Sequence, residues 1–244
     1  MTTRIQIINT SEIDPTLNQQ LWELYKDAHA IDFEQFSSRH QQLDKVALCW
    51  DKRTERLVGC IGIRFQELPL DKGNTVPTLY FGQVYILPEY RGRLLVQRTV
   101  IRLMLHSKVR HPFKTAYFWT DALSYKPYLV MANNLAEYYP SPLFATPPAI
   151  HSLMLAIGKR YYTDSFQEET CTVHKPFRLL TDKSVVITER DFSNPIIRFY
   201  AERNAGDAEG DGLLLVCPMS IKNLLHFAWR RLRPRRSSRP EYVR

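Results

Sequence analysis

The alternation of apolar and polar positions changes period several times along the chain, and those changes mark out its elements. Arg4 to Ile8 alternates with period two and reads as a strand. Thr10-Ser11 and Asp14-Pro15 are helix-start residues, and Leu17, Leu21, Leu24, Tyr25 and Ala28 then recur on one face at helical spacing. A shorter helix is expected over Phe33 to Leu43. Lys45 to Trp50 and Leu57 to Phe65 are apolar runs separated by charged residues, the pattern of an antiparallel hairpin. After a loop from Pro69 to Pro77, a third strand runs from Thr78 to Ile86 and stops at Pro88. Gly92 to Ser107 reads as a helix, Thr115 to Thr120 as a strand, and Ser124 to Asn133 as a helix with Ser124 at its cap. Helices separate only some of the strands, so the expected class is mixed α/β (α+β), a central mixed sheet with flanking helices.

Past Asn134 the punctuation is denser. Thr146-Pro-Pro starts a helix over Ala149 to Tyr161. Short strands are expected at Cys171 to Phe177, Val185 to Thr188, Ile196 to Tyr200 and Leu213 to Cys217, with Asn204 to Gly212 as a loop. The division implied is 1–134 as a core, 135–218 as completion of its sheet or a small additional lobe, and 219–244 as a basic extension.

Composition narrows the choice of function classes. Apolar residues make up 44% and charged residues 24% of the 244, enough for a folded core and against extensive disorder. No apolar run approaches membrane-spanning length and residues 1–10 hold no signal-like apolar stretch, so a cytoplasmic protein is expected. Cys49, Cys60, Cys171 and Cys217 are scattered without metal-site spacing and read as reduced core residues; no metal site is expected. The net charge of +8 is not spread evenly: residues 219–244 hold eight bases against Glu241 alone, leaving a nearly neutral body.

The segment richest in chemistry is Phe81 to Met104, where a strand, a turn with Arg91, Gly92 and Arg93, and an amphipathic helix follow at once. The first N–H groups of such a helix point into the turn unpaired and carry partial positive charge, to which the arginines add full charges. The turn is therefore a candidate anion cradle. No nucleophile elbow, phosphate loop with lysine or zinc-protease motif competes with it.

This strand, turn and helix resembles the central motif of the GNAT superfamily, general N-acyltransferases that move an acyl group from coenzyme A to an amine. The motif's Arg or Gln followed by x-x-Gly-x-Gly or Ala is matched by Arg91 at its first position, while Leu94 and Val96 stand where small residues belong. The order of elements over Arg4 to about Asn134 is similar to the family's. The resemblance implies that the motif strand parts from its neighbour, that the backbone of Val84 and Ile86 runs along a pantetheine arm, and that Arg91, Gly92, Arg93, Leu94, Leu95 and Val96 surround its phosphates. Gly82 within the strand fits a bulge or a close backbone approach. The resemblance also implies a tyrosine that protonates the leaving thiolate: Tyr128, seven residues after Asp121, with Tyr125 as its rival. The family's strand carboxylate is missing, and a water relay, Glu67 or Asp121 remain open as the base.

The expected activity is thus transfer of an acyl group from an acyl thioester to an amine acceptor. Because side chains at Leu94 and Val96 crowd a pyrophosphate cradle, the donor is either acyl-CoA or the acyl-phosphopantetheine of an acyl carrier protein, which lacks the nucleotide. The alternative is a GNAT-like domain without catalysis that serves as a binding or scaffolding module. Finally, Ile221, Leu224, Leu225, Ala228, Trp229 and Leu232 follow helical spacing up to Pro234, with Lys222, Arg230, Arg231 and Arg233 to the other side. Residues 221–239 suit either the inner face of an anionic membrane, to which the protein attaches peripherally, or docking of the apolar face on the domain itself. Nucleic acid has charge in its favour but no binding module.

Overall fold

The computed structural model describes residues 2–28, 31–69, 75–110, 114–175 and 185–232. Eight strands form one mixed sheet in the order β1-β2-β3-β4-β5-β8-β7-β6 among the described residues. They are β1 (Thr3–Asn9), β2 (Lys45–Asp51), β3 (Leu57–Pro69), β4 (Thr75–Ile86), β5 (Tyr117–Ala122), β6 (Phe166–Gln167), β7 (Thr172–Val173) and β8 (Gly212–Pro218). Only β4 and β5 are parallel; every other neighbouring pair is antiparallel. Residues beyond 134 thus extend the same sheet, with β8 paired to β5 along its length.

Among the described residues seven α-helices flank the sheet: α1 (Pro15–Tyr25), α2 (Phe33–Gln41), α3 (Leu95–Arg110), α4 (Tyr125–Asn134), α5 (Pro148–Tyr162), α6 (Pro195–Arg203) and α7 (Ile221–Leu232). The central strands alternate between two apolar layers. Leu213, Leu215 and Cys217 of β8 join α3, α4 and α6 residues in one, while Leu214 and Val216 join α5 in the other. Val46 and Leu48 of β2 face Leu21, Tyr25 and Phe36 of α1 and α2. Covering both faces explains why β8 reads as an unbroken apolar run.

Where the structure departs from the sequence expectations, local chemistry gives the reason. Ile196 to Tyr200, expected as a strand, lies in α6, because the Asn194 side chain accepts from Ile196 N–H and Pro195 occupies the first turn. Val185 to Thr188 forms no strand. The expected strand at Cys171 to Phe177 is reduced to Thr172–Val173, and its last two residues lie outside the described ones. The expected loop at Pro69 to Pro77 is mostly strand where described, since β4 already begins at Thr75 and Pro77 pairs opposite Glu67. β5 lies two residues later than expected, which brings Asp121 into the strand. Ser124 does precede α4, but its side chain makes no cap hydrogen bond. α3 starts at Leu95 rather than Gly92, because Gly92 (φ 79°) and Leu94 (φ 62°) both adopt the left-handed region, which interrupts a helix.

Candidate functional site

The parallel pair β4–β5 is joined only at Thr78, Leu79 and Tyr80, opposite Tyr117, Phe118 and Trp119. The Thr120 hydroxyl adds a link across, donating to Phe81 O at 2.8 Å. Beyond that point β4 follows β3 and β5 follows β8, through the pairs Thr120–Leu215, Asp121–Leu214 and Ala122–Leu213. The cause lies in β4. Between the Gly62–Gly82 and Cys60–Tyr85 pairs, β4 carries one residue more than β3, and Gln83 sits at φ 48°. Such a bulge bends a strand and sharpens its twist. The Gln83 amide donates to Phe36 O of α2 at 3.3 Å, which fixes the bulge from below. Gly82 permits a close approach of a different kind than backbone to backbone: a Cβ there would lie 2.4 Å from the Tyr80 hydroxyl, whose ring folds along the strand over it.

At the open end of β4 the chain makes a 3-10 turn at Pro88–Tyr90 and enters α3. The turn is anchored to the β2–β3 hairpin: Leu87 N–H donates to Val58 O at 3.0 Å and the Tyr90 hydroxyl to Asp51 Oδ2 at 2.7 Å. That hydroxyl, with the N–H groups of Arg53 and Thr54, holds the Asp51 carboxyl below the ordinary carboxylate range. Leu94 O accepts the first bond of α3, from Arg98 N–H at 2.8 Å, so the N–H groups of residues 95, 96 and 97 have no partner within the helix. Leu95 turns into the core, while Leu94 and Val96 are half-buried. The two arginines of the turn part company. Arg91 Nε donates to Ile86 O at 3.2 Å, at the end of β4. Arg93 lies over the Tyr90 ring and lines a separate cavity of about 560 Å³ with Thr2, Thr3, Lys52 and Arg98. Val84 is 37% exposed and Ile86 half-buried.

On the α5 side of the sheet, at the end of β5, lies a polar cluster that sequence reasoning saw only in part. The buried Asp121 carboxylate accepts from the Tyr80 hydroxyl at 3.1 Å and from the Tyr162 hydroxyl at 2.9 Å, and the Lys175 ammonium pairs with it. Lys175 also lies over the Tyr162 ring. The Arg64 guanidinium sits beside Tyr80, Trp119 and Tyr161 at 4.8, 5.8 and 4.3 Å. Tyr162 and Lys175 come from segments with no motif that points to them.

The other site candidates are placed differently. Tyr128 is fully buried on the opposite face from Asp121, donates to Pro140 O at 3.1 Å, and packs among Tyr138, Phe199 and Tyr200. Burial drives its hydroxyl pKa well upward. Tyr125 is buried in the same layer. The structure therefore does not bring Tyr128 or Tyr125 together with Asp121. Glu67 is exposed and paired with Lys114. All four cysteines are free and buried, and burial pushes the thiols of Cys49, Cys60 and Cys217 up to about 12, which leaves them unreactive.

Comparison with known proteins gives likeness in structure but not in sequence. No family model matches the chain, and no curated protein matches it. Among solved structures, a "Probable N-Acyltransferase" of Enterococcus faecalis V583 is similar over 57% of this chain and 32% of its own, at 16% identity and a TM-score of 0.39. This chain thus spans about a third of that protein. Glucosamine-6-phosphate N-acetyltransferase from Arabidopsis thaliana is similar over 54% of this chain and 89% of its own, at 15% identity and a TM-score of 0.38. An aminoglycoside 6′-N-acetyltransferase from Acinetobacter baumannii is similar over 50% and 80%, at 16% identity and a TM-score of 0.37.

Proposed function

We propose that the protein is an N-acyltransferase of GNAT type that takes an acyl group from a phosphopantetheine thioester and passes it to an amine. The observation that carries the reading is the parting of β4 and β5 after three residue pairs, directly beside the start of α3. A pantetheine arm is a chain of amides, and a strand edge without a neighbour offers amides the hydrogen bonds they need. The unpartnered N–H groups of α3 and the Arg91 guanidinium suit the phosphate at the end of that arm. Leu94 takes the left-handed backbone shape ordinarily left to glycine, so the turn keeps its form although its side chain narrows the approach.

In this reading Asp121 is the base. The amine attacks the thioester carbonyl, the C–N bond forms, and the C–S bond breaks with its electron pair going to sulfur. The proton lost by nitrogen passes to Asp121 and from there, through the Tyr162 hydroxyl, to the thiolate. Tyr80, Tyr162 and Lys175 hold the carboxylate in place. Tyr128, carried by the resemblance as proton donor, packs the α4 side of the core. Acyl-CoA and an acyl carrier protein both present the required arm.

The second reading, a binding module without turnover, draws on the burial of Tyr128 and on a β4 that bears no carboxylate. One experiment separates the two. Thermal shift with coenzyme A, acetyl-CoA, a long-chain acyl-CoA and an acylated carrier protein identifies a donor, and thiol release from that donor with a panel of amines measures turnover. Saturable stabilisation with turnover supports the transferase; stabilisation without release of thiol from any amine supports the module. No stabilisation by any donor overturns the transferase and favours the module.

A further inference from the structure

α7 has two apolar sides, and the inner one is fastened to the domain. Asn223 anchors the inner side: its side-chain oxygen accepts from Ala136 and Glu137 N–H at 2.9 and 2.8 Å, and its amide donates to Glu137 O and Pro218 O at 2.9 and 2.8 Å. Leu224 packs on the core, Lys222 pairs with Glu137 at 2.7 Å, and Arg230 Nε donates to Asn133 O at 3.0 Å. The helix is therefore fastened along its length. The docking expected from the sequence occurs, but through Asn223 and Leu224 rather than through the whole apolar set. Ile221, Leu225, Trp229 and Leu232 remain outside, 67, 64, 46 and 83% exposed. At spacings of four, four and three they form one stripe, with Ala228 exposed between them.

A row of large apolar side chains on a fastened helix is unusual for a protein surface, since monomers rarely expose contiguous apolar patches of that extent. What covers it is indicated by charge. Residues 233–244, which follow the helix directly, hold Arg233, Arg235, Arg236, Arg239 and Arg244 against Glu241 alone, while the body of the protein is nearly neutral. An apolar stripe continued by a cluster of arginines matches a surface that is anionic outside and apolar just beneath. No helix among the described residues is long and apolar enough to cross a membrane, so the contact is one of lying on the surface.

We propose that α7 is a membrane-docking element: Ile221, Leu225, Trp229 and Leu232 enter the interface of an anionic lipid bilayer, and the arginines after Leu232 bind its headgroups. The proposal is independent of the acyltransferase reading. Each arginine near an anionic surface adds attraction that salt screens, while the stripe supplies the part that salt leaves intact.

The test is co-sedimentation of the full chain with phosphatidylcholine vesicles containing roughly a third phosphatidylserine or phosphatidylglycerol, a proportion of the order that gives a strong surface potential. Binding is expected there, at least tenfold weaker on pure phosphatidylcholine and weakened by salt. The variant Ile221→Ser/Leu225→Ser alters two exposed positions, and its melting temperature is expected to match the parent. It is expected to lose at least tenfold in partitioning. Absence of binding to anionic vesicles overturns the proposal, as does equal binding by the variant. Sedimentation velocity provides a second reading without lipid: a dimer abolished by the same substitutions assigns the stripe to a second copy of the chain and overturns the lipid assignment, whereas a monomer in both supports it.

Discussion

The two ends of the β4–β5 pair were built from similar residues for different work. At Thr78 to Tyr80 the strands are zipped, and their side chains interdigitate with Phe118 and Trp119, both buried. Four residues on, β4 has a bulge, an exposed Val84 and no partner on its β5 side among the described residues. The closed end holds the two halves of the sheet together, and the open end gives up ladder hydrogen bonds to create a slot. What separates them is backbone rather than composition: one additional residue in β4, with Gln83 at positive φ, redirects the strand. Stability and chemistry are thus expected to respond to different substitutions only a few residues apart.

The largest effect is expected at the open end, on turnover. Asp121→Asn keeps the shape and the hydrogen-bond acceptor for Tyr80 but removes the base, and it also leaves the Lys175 ammonium without its counter-charge, which costs stability as well. Turnover is expected to fall roughly 10²- to 10⁴-fold, the usual range for loss of a general base, with donor affinity unchanged. Thiol-release kinetics beside donor titration make the check, and a variant that retains most of its turnover removes Asp121 from the reaction.

The closed end is expected to answer in stability. Phe118 packs edge-on against Phe81 at 4.9 Å between ring centres. Phe118→Ala is expected to cost about 3–5 kcal/mol, whereas Val84→Ala, at the exposed open end, is expected to cost less than about 0.5 kcal/mol. Urea unfolding of both variants checks the contrast. Similar losses at the two positions would mean that the open end is packed after all.

The bulge itself is held from α2, and that support is pH-sensitive. His40 packs at a tilt against the Phe36 ring, the Phe36 carbonyl receives the Gln83 amide, and desolvation lowers the His40 pKa from 6.5 to about 4. Above about pH 6.5 the imidazole is neutral in both the folded and the unfolded chain and has no effect. As pH falls from there toward about 4, the unfolded chain takes up a proton that the folded one refuses, and about 3 kcal/mol of stability is lost. Unfolding free energies at pH 7.5 and 4.5 are expected to differ less in His40→Leu than in the parent by that order. An equal difference in both places the acid sensitivity elsewhere.

These contrasts show which parts of the molecule were legible in its sequence. The strands and helices up to Asn134 could be read because each is an amphipathic or doubly buried run with recognisable starts, such as Asp14, whose carboxylate does accept from Leu17 N–H. The order of strand, turn and helix around Arg91 was legible. The direction taken by Arg93 was not, because a cation–π contact with Tyr90 has no sequence spacing of its own. Nor could the neighbours of Asp121 be foreseen: Tyr80, Tyr162 and Lys175 lie 41, 41 and 54 positions away, and they meet only because α5 and β7 cover the same face as Trp119. Ile196 to Tyr200 misled for the opposite reason. Its apolar residues suit a strand, and the Asn194-Pro195 cap decided otherwise.

The smallest effect concerns the turn that faces the open end. Leu94 holds φ at 62°, where a non-glycine side chain is strained by about 1 kcal/mol, and under the proposed function its half-buried side chain narrows the approach of phosphate to the first N–H groups of α3. Leu94→Gly removes both the strain and the obstruction, but frees the unfolded chain by a comparable amount. Stability is therefore expected to change by less than about 1 kcal/mol. Donor affinity is expected to rise several-fold, and more for acyl-CoA than for an acyl carrier protein, because only the former brings a pyrophosphate and nucleotide to the turn. Parallel titration of the two donors against Leu94→Gly makes the comparison. Weaker binding of both would show that the leucine is a contact rather than an obstacle, and that the turn at the open end is shaped for the donor as it stands.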